Sequence, residues 1–455
     1  MAGKGITSPL EDLEETSTMT IDPAVSKEQK VLEVFFKHLG GLDFDAAKVH
    51  FDREKESLRT SGPGNVWSKL IAELSRLGAT EKQYHQLEFL KETSWFTRRE
   101  GLKDSYTTLL TEIGKLGEIY GAQKGGTAPG WERKMASLCS VLGVYVKARR
   151  DLLEVYIDLQ THSSDITTIE AKAVQILPKV NISSTGLLDP VKDNLIREVQ
   201  VLSCLLQGSV QISTFQYLPA LFSLRNCKEK LKEWHGFPQE DKGWTKRSPR
   251  TGFSLASKAP QLPALYHWIC KFYHTLLSKF SFYFYKTLSE QSSSEMKNAM
   301  AKADLDVVAK LGSVRRRSDL LVLALVYDSR NAVPPYSGHG YKLPMNISEP
   351  PVGLASYPAV LAFPADYPKA LWPAVVSLIQ EHHGRLSGKE PQLVKFFDPS
   401  QTGRFYLLGK IDARFYLVAV FAGRKAEKDS SVNATLTEVL NYTRLTELFG
   451  LMKAS

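Results

Sequence analysis

The chain has few cysteines, and their spacing argues against several classes of protein. Its 455 residues contain four, and no two of them form a Cys-x-x-Cys pair. This pattern does not suit a disulfide framework or a zinc ribbon and favours a reducing compartment. No run reaches the ~18 consecutive apolar residues of a membrane-spanning helix, and the first residues lack the apolar core of a secretory signal. The sequence therefore predicts a soluble, cytoplasmic protein whose association with membranes is superficial or depends on a partner.

Signatures of catalysis are also missing. The sequence has no G-x-S-x-G, no H-E-x-x-H and no G-x-G-x-x-G followed by the acidic residue of a dinucleotide site. The string GAQKGGT at 121–127 lacks the lysine of a phosphate-binding loop and follows a helical pattern rather than a strand. His382 and His383 are adjacent, so on a helix they point about 100° apart and do not share one metal ion. We therefore predict no catalytic residues, no cofactor and no metal site.

One loop keeps an alternative open. In SGHGY, residues 337–341, Gly338 and Gly340 flank His339, and glycines allow a backbone to approach a ligand closely. A turn between irregular segments is the more common explanation for the same residues. The alternative hypothesis is therefore a small-molecule enzyme or sensor with its site near His339, at the cleft between two domains.

The charge of the chain has a mild positive excess. Lysine and arginine number 58 against 49 acidic residues, which gives a net charge of +9. This excess permits an anionic partner but is also common in soluble proteins. RFYLVAVF at 414–421 lacks the glycine of an RNA-recognition strand, so no nucleic-acid partner is predicted.

Two basic clusters are candidate contacts with a partner. Arginine side chains suit carboxylates and phosphates, so these clusters would contact an acidic protein surface or anionic lipid. Solvated surface residues are the more common explanation for such clusters. The clusters consist of Arg315, Arg316 and Arg317 at the junction of the predicted domains, and of Trp244, Lys246 and Arg247 in a long loop.

Helical periodicity dominates the chain after an acidic tail. Residues 1–26 contain five acidic side chains, one basic side chain and no aromatic ones, so we expect a disordered tail. Over 131–159 an apolar residue recurs at every seventh position, and Arg149 breaks a second apolar line. Such stripes predict a helical bundle over 27–312, interrupted by a mobile loop at 235–263. The other stripes cover residues 28–38, 66–91, 96–120, 188–207 and 211–234.

The stretch KFSFYFYKTL, residues 279–288, carries five aromatic residues within six positions. Taken alone it is typical of a strand, because aromatic residues favour sheets. In context, apolar residues recur every three or four positions from Leu265 to Leu288, which predicts one helix of about seven turns. Apolar residues occupy nearly all sides of this helix, so we expect it to be buried centrally with its lysines directed outward.

The C-terminal part, residues 313–455, has a different pattern. Short apolar runs bounded by turn signals predict strands, and two helical segments, 368–386 and 429–447, lie between and after them, the first interrupted by Pro373. The order strand, strand, helix, three strands, helix predicts a small α+β domain. The fold class is therefore mainly α, with an N-terminal multi-helix bundle followed by a smaller α+β domain. The predicted strands cover residues 319–328, 357–363, 392–398, 403–410 and 414–421.

The segment LLSKFSFYFYKTLSEQSSSEMKNAMAKADLD, residues 276–306, closely resembles the KICSTOR second-subunit family. Its specific part is the aromatic block followed by SEMK. Shorter pieces agree in the same order, so the resemblance covers essentially the whole chain after the tail, whereas the tail and the 235–263 loop look divergent. The shorter pieces are VLEVFFKHLG (31–40), GGTAP (125–129), LPALFSL (218–224), GHGY (338–341) and YPAV (357–360).

The resemblance implies a scaffold subunit rather than an enzyme. The family works at lysosomes with kaptin-like, FG-GAP-repeat and seizure-threshold proteins, and recruits the GATOR complex that switches off Rag GTPases. It thereby restrains the target-of-rapamycin (TOR) kinase when amino acids or glucose run short. The family carries over no catalytic residues, and fold analogy adds a roadblock/longin or profilin-like module as the C-terminal domain. We accordingly expect a cytoplasmic protein that its partners recruit to the lysosomal membrane.

Overall fold

A computed structural model describes most of the chain. It covers residues 23–58, 65–87, 101–122, 129–161, 165–181, 186–235, 262–291, 305–333, 335–338, 349–388, 392–399 and 403–451.

Helices make up the described residues from 23 to 315 apart from short connections, which confirms the mainly α architecture. Each helix that the stripes predict is present, with bounds that differ by several residues at some ends. The described helices are α1 (Pro23–Gly40), α2 (Phe44–Leu58), α3 (Val66–His85), α4 (Leu102–Ala122), α5 (Pro129–Thr161), α6 (Ile166–Val174), α7 (Ile176–Asn181), α8 (Asp189–Ser213), α9 (Tyr217–His235), α10 (Ala264–Tyr283), α11 (Tyr285–Gln291), α12 (Val307–Lys310) and α13 (Gly312–Arg315).

Two of the predicted domain boundaries can be compared with the bounds of the described helices. α1 begins at Pro23, so residues 23–26, which the sequence assigns to the tail, start a helix, because proline fits a first helical turn. Residues 1–22 and most of the 235–263 loop lie outside the described residues. The predicted boundary between residues 312 and 313 falls inside α13.

The helices pack lengthwise, as the heptad stripe predicts. α5 packs along α4, and α8 packs along α9, while α10 contacts α3, α8 and α9. Leu138, Tyr145 and Leu152 of the stripe are buried. Arg149, which interrupts the second apolar line in the sequence, is also completely buried. The interruption is therefore not an exposed position, and Arg149 lies in the centre of the bundle.

α2 and α6 are among the described helices that the stripes do not predict, because each buries too little apolar surface to form a stripe. α2 buries only Ala47, Phe51 and Glu54, and α6 buries only Ile169 and Ala173. Apolar periodicity is the main helical signal in a sequence, so helices that bury few apolar residues give no such signal.

The aromatic stretch is helical, as its context predicts, but it does not form one continuous helix. α10 ends at Tyr283, Phe284 adopts a turn conformation with φ −102° and ψ 20°, and α11 follows. Phe280, Phe282, Tyr283 and Phe284 are all buried. Lys279 is buried too, so the expectation that the lysines of this helix point outward is wrong for Lys279, whose charge is met by an internal partner described below.

A five-stranded antiparallel sheet follows the helices, with the predicted order of strands and helices. Its strand order is β2-β1-β5-β4-β3. Pro373 occupies the first turn of a helix instead of interrupting one, as is common for proline. The elements are β1 (Leu320–Tyr327), β2 (Ala359–Phe363), α14 (Trp372–Glu381), α15 (His383–Leu386), β3 (Leu393–Asp398), β4 (Arg404–Asp412), β5 (Phe415–Ala422), α16 (Ser430–Thr443) and α17 (Thr446–Leu451).

Both faces of the sheet are covered, and the two central strands β1 and β5 are apolar throughout. Leu323 and Leu325 face a core that is continuous with the helical bundle and includes Phe280. Val322 and Ala324, which alternate with them, pack into a second core with α14. Burial on both faces explains the uninterrupted apolar sequences of β1 and β5. The smaller α+β part is thus present, while its roadblock/longin or profilin-like assignment stays a prediction.

Candidate functional site

The three arginines at the junction, predicted as partner contacts, have three different environments. Arg315 lies over the ring of Phe363 on β2, with its guanidinium carbon 3.6 Å from the ring centroid. Arg316 is exposed and makes no ion pair with any residue that the structure describes. Arg317 is half-buried and is bonded internally. Arg316 is thus the member of this cluster that is most available to a partner.

Arg317 holds the start of α16 against the sheet. Its Nε and Nη2 each lie 2.9 Å from one oxygen of Asp319, and its Nη1 donates to Asp429. Asp429 caps α16, because its Oδ1 accepts from the backbone N–H of Ser431 at 3.0 Å and of Val432 at 3.2 Å. The hydrogen bonds from Arg317 hold the pKa of Asp319 below its usual value. The main role of Arg317 is therefore internal.

The remaining sequence candidates lie outside the described residues. These are Trp244, Lys246 and Arg247 in the long loop, and His339 of the SGHGY segment. Gly338 beside it is described and has φ +97°, a conformation that suits glycine in a turn. The hypothesis of a sensor or enzyme site near His339 stays a prediction.

A buried ionic cluster at the centre of the helical bundle was not predicted from the sequence. Arg149 of α5 is completely buried, and its Nε lies 3.0 Å from Glu81 Oε2 of α3. Its Nη1 forms a second ion pair, with Glu198 Oε2 of α8. Both glutamates are as buried as the arginine. The cluster therefore ties three helices together at one point.

Buried tyrosines donate hydrogen bonds to the carboxylates of both Glu81 and Glu198. Tyr84 and Tyr156 donate to Glu198 Oε1 over 2.6 Å and 3.1 Å, and Tyr106 donates to Glu81 Oε1 over 2.9 Å. Burial raises the pKa of each of these tyrosines well above the usual value of 10.0. The hydroxyls therefore remain neutral and act as permanent donors to the carboxylates.

The cluster also includes the buried His85, whose Nδ1 lies 3.8 Å from Glu81 Oε2. Two carboxylates face one guanidinium, and burial raises the pKa of Glu81, with Arg149 opposing that shift. Burial alone would lower the pKa of Arg149, but the charges of Glu81 and Glu198 raise it well above its usual value. Nη2 of Arg149 has no hydrogen-bond partner among the described residues, although the guanidinium lies 4.8 Å from the ring centroid of Tyr84. The arginine thus stays charged and is paired with both glutamates.

The cluster is placed for a structural role rather than for chemistry. No substrate reaches it from solvent, because Arg149, Glu81 and Glu198 are at most 1% exposed. Buried hydrogen-bonded networks of this kind rigidify a core and can fix the register of packed helices. The sequence contained one signal for it, namely an arginine at an apolar position of the heptad stripe. It held no comparable signal for Glu81 and Glu198, which lie on other helices.

A second buried ion pair joins the helical part to the sheet. Lys279 Nζ of α10 lies 2.9 Å from Asp412 Oδ1 at the end of β4, and the hydroxyl of Tyr283 donates to Asp412 Oδ2. Burial and the charge of Asp412 raise the pKa of Tyr283 well above its usual value. The ring of Tyr283 also lies 4.3 Å from that of Phe415, measured between centroids. The seam between the two parts is therefore both apolar and ionic.

The described residues offer little for metal or nucleophilic chemistry. Among them, no three histidine, cysteine, aspartate or glutamate side chains are grouped so that they could hold a metal ion. Burial raises the pKa of Cys139 to about 11 and that of Cys270 to about 12, which keeps both thiols protonated and unreactive. None of the described helices is both long and apolar enough to cross a membrane.

Exposed apolar side chains are the other feature expected of a contact surface. Phe222 on α9, 55% exposed, is the most exposed aromatic side chain among the described residues, and Leu221 lies beside it. In the part of the chain that the structure describes, the exposed large apolar side chains are Val34, Val49, Ile119, Val174, Leu221, Phe222, Val333, Val352, Leu354 and Phe396.

Comparison with known proteins gives a match along nearly the entire chain. The family model described as "KICSTOR complex C12orf66 like" matches residues 21–455. A Xenopus laevis protein named KICSTOR subunit 2 is 33% identical over 438 residues, which cover 94% of this chain and 97% of that protein. A Danio rerio protein of the same name is 32% identical over 440 residues, which cover 94% of this chain and 96% of that protein.

Proposed function

We propose, because the chain belongs to the KICSTOR C12orf66-like family, that it is a non-catalytic scaffold subunit of a KICSTOR complex. In this proposal it recruits GATOR to the cytoplasmic surface of lysosomes together with kaptin-like, FG-GAP-repeat and seizure-threshold subunits. The assembly then restrains TOR signalling when amino acids or glucose are withdrawn.

The observation that carries the proposal is the extent of the match to relatives named as a complex subunit. Both relatives align over at least 96% of their own length, so the likeness includes the helical bundle and the sheet alike. A scaffold needs a fixed shape and surfaces for partners rather than a reactive centre. The internal ion pairs of Arg149 and Lys279 support a fixed shape, since each joins elements that are distant in sequence.

Co-purification tests membership of the complex. The full chain, tagged at its own genomic locus, is isolated from cell lysate under mild conditions, and the kaptin-like, FG-GAP-repeat and seizure-threshold proteins are quantified by mass spectrometry. We expect all three at near-stoichiometric amounts. Recovery of the intact chain without them would contradict the proposal.

A pair of charge reversals tests whether the arginine cluster at the junction contributes to binding of the other subunits. Arg316→Glu changes an exposed residue at the junction, and Arg133→Glu changes an exposed residue on α5. If the junction contacts an acidic partner surface, only Arg316→Glu lowers recovery of the other subunits. Equal recovery with both variants would remove the junction from the proposed interface while leaving membership intact.

Signalling is tested in cells that lack the chain. We expect GATOR to leave lysosomes and TOR activity to persist after amino-acid or glucose withdrawal, and re-expression of the chain to restore both. Normal GATOR localisation in the absence of the chain would overturn the recruitment step.

A further inference from the structure

One serine beside the junction arginines takes no part in the internal contacts of the fold. Ser318 is exposed in the turn between α13 and β1, and its hydroxyl has no hydrogen-bond partner among the described residues. The residues on either side of it differ, because Arg317 and Asp319 are half-buried and form an ion pair with each other. Ser318 therefore presents its hydroxyl to solvent.

The side chains around Ser318 alternate between an inner and an outer side. Arg317 and Asp319, two positions apart, pair on the inner side. Arg316 and Ser318, also two positions apart, are both exposed, and Arg315 is exposed as well. Two exposed cations thus lie three and two positions before an exposed serine.

This arrangement occurs once in the chain. Over all 455 residues, an arginine stands three positions before a serine or threonine only at Arg315 and Ser318. Arginine-directed protein kinases select a serine by arginines three and two positions before it, which their carboxylates bind. The sequence RRRS at 315–318 therefore carries both recognition charges and the hydroxyl that accepts the phosphate.

The structure allows recognition of the residues before Ser318 rather than of those after it. β1 begins two positions later and is mostly buried, and the carbonyl of Asp319 accepts from the N–H of Ala422 at 2.7 Å. A kinase that selects residues after the serine would have to bind a strand held inside the sheet. On the other side, α13 is a single turn, and the N–H of Arg317 lies 3.3 Å from Val314 O, which is long for a hydrogen bond. This turn is therefore the part that can extend in a kinase groove.

We propose that Ser318 is a phosphorylation site of an arginine-directed protein kinase, and that its phosphate neutralises Arg316 as a contact with an acidic partner. In the transfer, Ser318 Oγ attacks the γ-phosphorus of ATP, the bond from that phosphorus to the β-phosphate oxygen breaks, and ADP leaves while the kinase takes the hydroxyl proton. The effect on a partner rests on the proposed function, whereas the modification itself does not.

The phosphate changes the charge of the outer side and leaves the inner side intact. It carries a charge of about −1.5 to −2 at pH 7 and three acceptor oxygens, which pair readily with arginine. Arg316 has no ion pair among the described residues, whereas the guanidinium nitrogens of Arg317 already donate to Asp319 and Asp429. The phosphate therefore pairs with Arg316, and the cap of α16 remains in place.

Labelling of the intact chain tests the modification. The purified full chain is incubated with Mg²⁺, ATP and the catalytic subunit of cAMP-dependent protein kinase, which is arginine-directed, and the labelled residues are identified by mass spectrometry. We expect Ser318 to be labelled fastest, and Ser318→Ala to lower the initial rate about tenfold or more. Ser313→Ala, which changes another exposed serine five positions earlier, is the matched control and should keep the original rate.

A pair of arginine variants tests how the serine is recognised. Arg316→Ala removes an exposed arginine two positions before Ser318, and Arg133→Ala removes an exposed arginine on α5. We expect Arg316→Ala to lower the rate of labelling at Ser318 about tenfold and Arg133→Ala to leave it unchanged. Equal rates for the two variants would mean that the junction arginines do not direct the kinase, which overturns the inference.

Binding of the co-expressed partner subunits tests the effect of the phosphate. The labelled chain is compared with the Ser318→Ala chain after the same kinase treatment. We expect the labelled chain to bind about tenfold more weakly. The thermal melting of the two should be equal, because the contacts of Arg317 are kept.

The outcomes separate the inference from the proposed function. Labelling at other residues instead of Ser318 overturns the inference, and so does labelling of a synthetic peptide of residues 311–323 without labelling of the intact chain. Equal binding of the labelled and the Ser318→Ala chains overturns the effect assigned to the phosphate. Absence of any complex with the unlabelled chain overturns the proposed function, and the effect on binding with it, while labelling of Ser318 still decides the modification.

Discussion

Lys279 and Asp412, 133 positions apart in sequence, form the ionic contact between the helical bundle and the sheet. The ammonium nitrogen lies 2.9 Å from the carboxylate, and the two side chains are 2% and 15% exposed. The lysine has therefore lost nearly all of its hydration, whereas the aspartate keeps some contact with water. Because of this asymmetry, replacing the lysine and replacing the aspartate should change the stability of the protein by different amounts.

We expect Asp412→Asn to destabilise the protein more than Lys279→Met. Asp412→Asn leaves a buried ammonium group without a counter-charge, which costs about 3–5 kcal/mol. Lys279→Met replaces the buried charge by an apolar side chain of similar length and leaves Asp412 with the hydroxyl of Tyr283, so we expect a loss below about 2 kcal/mol. Urea denaturation of both variants measures the difference, and equal losses would contradict the role assigned to the pair.

The Arg149 cluster leads to a similar comparison between its two glutamates. Glu198 accepts from Arg149, Tyr84 and Tyr156, so Glu198→Gln leaves several buried donors poorly matched, at a cost of about 3–5 kcal/mol. Glu81→Gln removes one buried negative charge and keeps the pair of Arg149 with Glu198, so we expect a loss of about 1–2 kcal/mol. The exposed Glu229→Gln is the control, with a change below about 0.5 kcal/mol. A larger loss for Glu81→Gln than for Glu198→Gln would refute this ranking.

The raised pKa of Glu81 also predicts how the free energy of unfolding depends on pH. Burial raises its pKa above 4.5 in the folded protein, so between 4.5 and the raised value the folded state binds more protons than the unfolded state. The contribution of Glu81 to the free energy of unfolding therefore falls as pH rises through this window. Glu81→Gln lacks this dependence, so its stability relative to the original chain should improve from about pH 4 to about pH 7. Denaturation of both proteins at several pH values checks this, and parallel pH curves would show that Glu81 does not titrate as described.

The elements of the fold were predictable where burial follows a regular period. β1 and β5 are buried on both faces, and their uninterrupted apolar runs marked them in the sequence. The helical structure of the aromatic stretch could be predicted only from its neighbours. Five aromatic residues in six positions are typical of a strand until the apolar spacing from Leu265 onward is considered. The turn at Phe284 has no such signal, since no glycine or proline marks it.

The buried charges could not be predicted in the same way, because each depends on a contact between distant parts of the chain. Lys279 has the sequence context of a lysine that reaches solvent, and only the position of Asp412 explains its burial. Arg149 interrupts an apolar line visibly, but the sequence does not reveal that Glu81 and Glu198 converge on it. The position of β3 at one edge of the sheet was likewise not predictable, because the order of elements along the chain does not determine the strand order.

The contribution of Arg317 to stability should depend on the geometry of its side chain rather than on its charge. Arg317→Lys keeps the charge but loses the two-point contact with Asp319 and the contact with the cap residue Asp429. Because the side chain is partly exposed, we expect a modest loss of about 1 kcal/mol. Arg316→Lys, one position earlier and exposed, should leave stability unchanged. Thermal denaturation of the two variants checks this, and an equal response would mean that the contacts of Arg317 add nothing measurable.

Phe280 tests whether the aromatic stretch is core or contact surface. The side chain is 3% exposed and stacks on Tyr217, with 5.6 Å between ring centroids and 19° between planes. Phe280→Asp buries an unpaired carboxylate there, so we expect a loss above about 4 kcal/mol and failure to accumulate as folded protein. Lys286→Asp, at an exposed position six residues later, is the control and should remain folded. Circular dichroism and the soluble yield distinguish the two. A soluble Phe280→Asp variant with unchanged melting but without partner subunits would instead place Phe280 on a binding surface.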